Sequence, residues 1–106
     1  MFVVRLQAPS GEPDFPHPFK AFLNRAAAIS YAKDEVKMDA EQAFLFHVPG
    51  IDDPGRAVAA VKLGQAVFLS PYSATSSDAD IQRVEEAAWK RAWDEGPEAI
   101  LKCLGL

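Results

Sequence analysis

Cysteine is scarce in this sequence, and long apolar runs are missing from it. Cys103 is the only cysteine in 106 residues, so no disulfide can form within the chain. Such cysteine usage favours a reducing compartment. No apolar run approaches the roughly 20 residues of a membrane-spanning helix, and the apolar start at residues 1–4 is too short for a secretory signal. We therefore expect a cytoplasmic protein with no membrane partner.

Clustered positive charge is also missing. The chain has 11 Lys and Arg against 15 Asp and Glu, a formal net charge of −4, and no basic run. Binding to nucleic acid requires a concentrated cationic face, so we predict no nucleic-acid partner. Hydrophobic residues make up 49% and charged residues 25%, close to the averages of globular domains. Residues 1–106 are therefore predicted to form a single globular domain.

Motifs for catalysis and for cofactors are absent as well. Gly50 and Gly55 have the spacing of a phosphate-binding loop, but Arg56 and Ala57 follow where that motif needs Lys and Ser or Thr. No serine lies in a G-x-S-x-G context, and no zinc-ligand spacing is met. The sequence thus predicts no catalytic residue, no cofactor and no metal, and it favours a protein that is not an enzyme.

What is present is a regular alternation of strand and helix patterns, bounded by capping and breaking residues. Asn24 is a good N-cap for a helix, and either Asp52 or Asp53 caps the next one before Pro54. Strands are predicted over residues 2–7, 19–23, 43–48 and 66–70, and helices over 25–38, 54–63, 78–94 and from 97 onward.

The element order β-β-α-β-α-β-α-α predicts an α+β fold with a small mixed sheet of about four strands, packed with helices. The first two strands should form a hairpin, with the proline-flanked second strand at an edge. The strands at 43–48 and 66–70 flank a helix, which suggests a parallel pair with a right-handed crossover. The predicted core joins Ile29, Ala32 and Val36 to three aromatic residues, Phe44, Phe46 and Phe68.

Two surface features are candidate binding sites. On the long helix, Trp89 and Trp93 recur at i, i+4 beside the stripe Ile81, Val84, Ala88 and Ala92. Tyr72, predicted in the preceding loop, would extend this patch. An exposed Trp is well suited to anchor a partner protein, although large rings at helical spacing commonly pack against the core.

The second candidate is the loop that contains His47, Asp52 and Asp53. It follows a strand and precedes a helix, a position where ligands tend to bind in open sheets with parallel strands. One imidazole and two carboxylates are suitable ligands for a divalent cation. The simpler interpretation is that the aspartates cap the helix.

These observations favour a small cytoplasmic non-enzymatic protein that acts by binding another protein, such as a regulator, an inhibitor, an immunity factor or an accessory subunit. The alternative is a small enzyme, or a ligand- or metal-binding module, that uses the loop from His47 to Asp53. A homo-oligomer is compatible with either function.

Overall fold

A computed structural model describes residues 1–73 and 77–95, without the side chains of residues 68–70 and of several positions on the last helix, Trp89 and Trp93 among them. The described residues form an α+β fold, as the sequence predicts. The helix expected from Pro97 lies outside the described residues. In chain order the elements are β1 (Phe2–Gln7), β2 (Phe19–Phe22), α1 (Arg25–Met38), β3 (Gln42–His47), α2 (Pro54–Lys62), β4 (Val67–Ser73) and α3 (Asp78–Glu95).

Side-chain caps explain where the helices begin. The Asn24 side chain accepts a hydrogen bond of 2.7 Å from the backbone N–H of Ala27, and Asp53 accepts one of 2.9 Å from Arg56. Both bonds satisfy N–H groups that the first turn leaves free. Ser77 does the same for α3, accepting from the Asp80 backbone at 3.2 Å. Each of these starts follows from the local sequence.

The four strands form an antiparallel sheet in the order β2-β1-β3-β4. The predicted hairpin between β1 and β2 is confirmed, and β2 is an edge strand as expected. In β4, Leu69 is an extra residue between the partners of Leu45 and Phe46, which makes a bulge in the strand.

The prediction of a parallel pair at 43–48 and 66–70 is wrong. His47, the last residue of β3, pairs with Val67, the first residue of β4. The intervening chain therefore leaves and re-enters the sheet at the same end. α2 packs against β2 and β1, so the connection lies over the sheet and does not return the chain to the far end.

One face of the sheet is covered by α1. Five buried residues share this face, because the strand register places them opposite one another or two residues apart. They are Val4, Leu6, Ala43, Leu45 and Tyr72. The helix contributes Ala28, Ala32 and Val36. The expected burial of Ala32 and Val36 is confirmed, but Ala28 replaces Ile29, which is only partly buried.

α2 lies on the opposite face of the sheet. α2 packs against β2 and β1, and its buried residues are the small Ala57 and Ala60. Phe44 and Phe46 lie on this face, opposite Arg5 and Val3 of β1. The expected packing of these two rings against α1 is therefore wrong, because the uniformly apolar β3 sequence does not show which residues face which side. The side chain of Phe68 lies outside the described residues.

The last described helix, α3, packs against β4. Val84, predicted in its buried stripe, is 36% exposed, while the side chains of Ile81, Ala88 and Ala92 lie outside the described residues. Gln82 donates to Glu86 at 3.2 Å, and Arg83 pairs with Asp80 on an exposed surface. Among the described helices, none combines the length and the apolar character that crossing a bilayer requires.

Candidate functional site

A groove of about 560 Å³ lies on the face of the sheet that carries α2. Its floor consists of side chains from β1 and β3, and its wall is the connection between β1 and β2. Arg5 and Phe44 are direct partners on neighbouring strands and share the floor. The complete lining is Arg5, Gln7, Ala8, Pro9, Ser10, Gly11, Glu12, Asp14, Phe44 and Phe46.

The wall of the groove is shaped by a tight turn. The Glu12 backbone N–H donates to the Pro9 carbonyl oxygen at 3.1 Å. Gly11, the third residue of this turn, has φ of +87°, a conformation that glycine adopts without steric cost. The turn presents the exposed side chain of Glu12 at the rim of the groove.

Two cations, one of them the groove residue Arg5, contact the aromatic ring of Phe19. The guanidinium carbon of Arg5 lies 5.8 Å from the centroid of the Phe19 ring, and the Lys62 ammonium of α2 lies 5.2 Å from the same centroid. Cations are attracted to the negative face of an aromatic ring. Phe19 thereby holds the side chains of β1 and α2 together on the same face of the sheet.

Charges of opposite sign line the groove without pairing. Within the described part of the chain, neither Arg5 nor the carboxylates of Glu12 and Asp14 form an ion pair. Arg5 is half-buried, whereas Glu12 and Asp14 are exposed. The groove therefore has a cationic floor and an anionic rim, both accessible from outside.

The predicted patch of Trp89, Trp93 and Tyr72 is not formed as expected. Tyr72 lies in β4 rather than in a loop, and it is only 3% exposed because it packs on the face covered by α1. It therefore cannot extend a surface patch. Trp89 and Trp93 lie within α3, and their side chains are outside the described part of the structure.

The loop that contains His47, Asp52 and Asp53 is built around the start of α2. Asp53 is the N-cap, Asp52 is exposed, and His47 stacks on Phe2 with ring centroids 4.8 Å apart. Among the described residues, no three side chains of His, Cys, Asp or Glu are grouped so that they could hold a metal ion. The structure therefore assigns Asp53 and His47 separate contacts.

Burial lowers the pKa of the His47 imidazole, and the Met1 ammonium lowers it further. This ammonium donates to the Val48 carbonyl oxygen at 2.7 Å, which holds its positive charge beside the end of β3. His47 is consequently neutral at pH 7, because its pKa lies below the usual value of about 6.5.

Sequence reasoning missed the groove residues Arg5, Gln7 and Phe44. One signal was available, because Arg5 and Gln7 alternate with apolar residues in β1 and therefore lie on one face of that strand. The contribution of Phe44 depends on which strand pairs with β1 and in which register. That long-range information is not contained in the local pattern.

No protein-family model, no characterised protein and no solved structure matches this chain.

Proposed function

We propose that this protein acts by binding another protein and that the groove on the sheet face that carries α2 is its contact surface. The observation that carries the proposal is the arrangement of Arg5 beside the half-buried ring of Phe44. Arginine and aromatic residues are enriched at the centres of protein interfaces. The exposed carboxylates of Glu12 and Asp14 supply the polar rim that such interfaces have.

The lining of the groove supports this proposal. Phe44 is half-buried and lines the groove together with Arg5 and the exposed carboxylates of Glu12 and Asp14. Aromatic surface rimmed by polar groups is typical of an interaction site. A partner seated in the groove would act without any chemical step, in keeping with a non-enzymatic regulator, inhibitor, immunity factor or accessory subunit.

We further propose a cytoplasmic setting and a second contact on α3. A single cysteine in 106 residues is typical of proteins from reducing compartments. Trp89 and Trp93 recur on α3, next to the edge strand β4, at the spacing of one helical turn. They are the residues on this helix best suited to anchor a partner.

A ligand-binding module is the second candidate function. The groove volume of about 560 Å³ falls within the range of about 300–1,000 Å³ typical of small-molecule sites. In this case the ligand would occupy the groove rather than the loop from His47 to Asp53, which does not line it. A small molecule that raises the melting temperature without a partner protein would favour this function.

The test is affinity purification from the source cells with wild type, two groove variants, one control variant and one variant of α3. Gln7→Trp fills the groove from an exposed position, and Phe44→Lys removes its ring. We expect both to reduce recovery of the partner by at least about tenfold, as for a central interface residue. Met38→Lys is the control, since Met38 is 80% exposed on the other side of the sheet and should leave recovery unchanged.

The melting temperature of each variant separates lost binding from lost folding. Full recovery with both folded groove variants would contradict the proposed contact surface. If Trp93→Ala is the only variant that fails to recover the partner, the contact lies on α3 instead.

A further inference from the structure

The connection between β1 and β2 is rich in proline. Four of the eight prolines of the chain lie between residues 9 and 18, and three of these belong to residues 12–18, which we call the proline segment. A proline fixes its own φ near about −65°, and the residue before a proline is restricted to extended conformations. Asp14 is the one residue of the proline segment that neither is a proline nor precedes one. The segment is therefore held extended by its own covalent structure.

The middle of the proline segment is extended and forms no internal bonds. Residues 13–15 form neither helix, strand nor turn, and the chain bends on either side of them, at Glu12 and at Pro16. Within the described part of the chain, no hydrogen bond involves residues 13–17. A proline-rich backbone without internal hydrogen bonds is typical of the polyproline II conformation.

The sides of the proline segment face different surroundings. Polyproline II has three residues per turn, so residues i and i+3 share a side. Pro13 and Pro16 have this spacing, and both are exposed. Phe15 packs against the core, and Asp14 lines the groove. The core thus holds the segment through Phe15, while the two prolines present an apolar edge to solvent.

We infer that Pro13 and Pro16 dock a partner domain that recognises the polyproline II conformation through a cleft lined by aromatic side chains. Such clefts bind P-x-x-P segments, because the preformed conformation has little entropy left to lose on binding. The run from Pro13 to Pro16 has that spacing. This inference goes beyond the proposed function, since neither proline lines the groove.

Charge further defines the partner domain. Glu12 and Asp14 flank Pro13, and both are exposed. Among the described residues, neither carboxylate forms an ion pair. Basic side chains beside the aromatic cleft would complement these charges, whereas acidic side chains would be repelled. We therefore expect the cleft of the partner domain to have a basic rim.

The experiment measures binding of the purified full chain to a panel of purified SH3, WW and EVH1 domains, which recognise this conformation. The panel includes clefts with basic rims and clefts with acidic rims. We expect wild type to bind domains with basic rims. The double variant Pro13→Ala with Pro16→Ala should bind the same domains at least about tenfold more weakly, because it loses both the ring contacts and the preset conformation.

The matched control is Pro49→Ala. It removes an exposed proline from the turn after β3 and should bind the panel as wild type does. Melting curves verify the folding of each variant, and Phe15 keeps its contact with the core in all of them. The single variants Pro13→Ala and Pro16→Ala replace the double variant if that protein does not fold.

The outcomes separate this inference from the proposed function. Equal binding of the panel by wild type and the double variant would overturn the inference, and so would a panel in which no domain binds wild type. Gln7→Trp, which fills the groove, should bind the panel as wild type does. Loss of binding with Gln7→Trp but not with the double variant would place the contact in the groove, which overturns the inference and leaves the proposed function standing.

Discussion

His47 and Phe44 both lie on β3 and face opposite sides of the sheet. His47 shares the face of α1 with Phe2, on which its ring stacks at a centroid distance of 4.8 Å. Phe44 shares the groove face with Arg5. The two residues therefore have different roles, although they lie on one strand and are similar in size. His47 contributes to stability, and Phe44 contributes to the proposed binding.

The lowered pKa of His47 makes the stability of the fold depend on pH. Burial is the main cause, and the Met1 ammonium adds to it. In the unfolded chain the His47 imidazole takes up its proton at the usual pKa of about 6.5, whereas in the folded chain it does so only at lower pH. The contribution of neutral His47 is thus fully present above about pH 6.5 and is lost as the pH falls through the folded pKa.

The measurement is the free energy of unfolding from urea titrations between pH 7.5 and the onset of carboxylate protonation near pH 5. Wild type should lose stability over this interval. The variant His47→Phe keeps a ring to stack on Phe2 and should lose much less. Equal pH dependence in the two proteins would show that His47 is not the group responsible.

At the scale of elements, helix starts depend on single capping residues. Asp53 accepts from the Arg56 backbone at the first turn of α2, while its neighbour Asp52 is exposed. Asp53→Ala should therefore cost about 1 kcal/mol of stability and lower the melting temperature by about 4–8 °C. Asp52→Ala is the matched control and should leave the melting temperature unchanged.

The same experiment tests whether this loop is a metal site. EDTA should leave the melting temperature of wild type unchanged, because Asp53 acts as a cap. A metal-dependent rise in melting temperature that His47→Ala abolishes would contradict this account and support the ligand-binding loop.

The bounds of the elements were predictable because their signals are local. Asn24 marks the start of α1, and Gly64 follows the end of α2 with φ of +72°, as the pattern of caps and breakers predicts. The direction of β4 was not predictable in the same way. A helix between two strands is typical of a parallel crossover, and no local pattern shows at which end of the sheet the chain re-enters.

The candidate site was less predictable than the fold. Tyr72 illustrates the reason, since its polar loop context suggested exposure, yet β4 continues through Pro71 and Tyr72 and buries the ring beneath α1. The groove in turn combines β1, β3 and the turn that follows β1. Phe44 is distant from Arg5 and Glu12 in the sequence, so no local motif indicates that these three residues line one groove.

At the scale of the whole molecule, α1 and α2 lie on opposite faces of the sheet. The 14-residue α1 covers one face, and the nine-residue α2 lies on the other. The face that carries α2 also contains a groove with a cationic floor at Arg5 and an anionic rim at Glu12. We propose that another protein binds there.

Site-specific photo-crosslinking in the source cells tests whether another protein binds in the groove. A photoreactive phenylalanine analogue replaces Gln7, which lines the groove, or Lys37, which is exposed on α1. We predict that position 7 crosslinks to one discrete protein and that position 37 does not. A crosslink to the same protein from position 37, with none from position 7, would contradict binding in the groove.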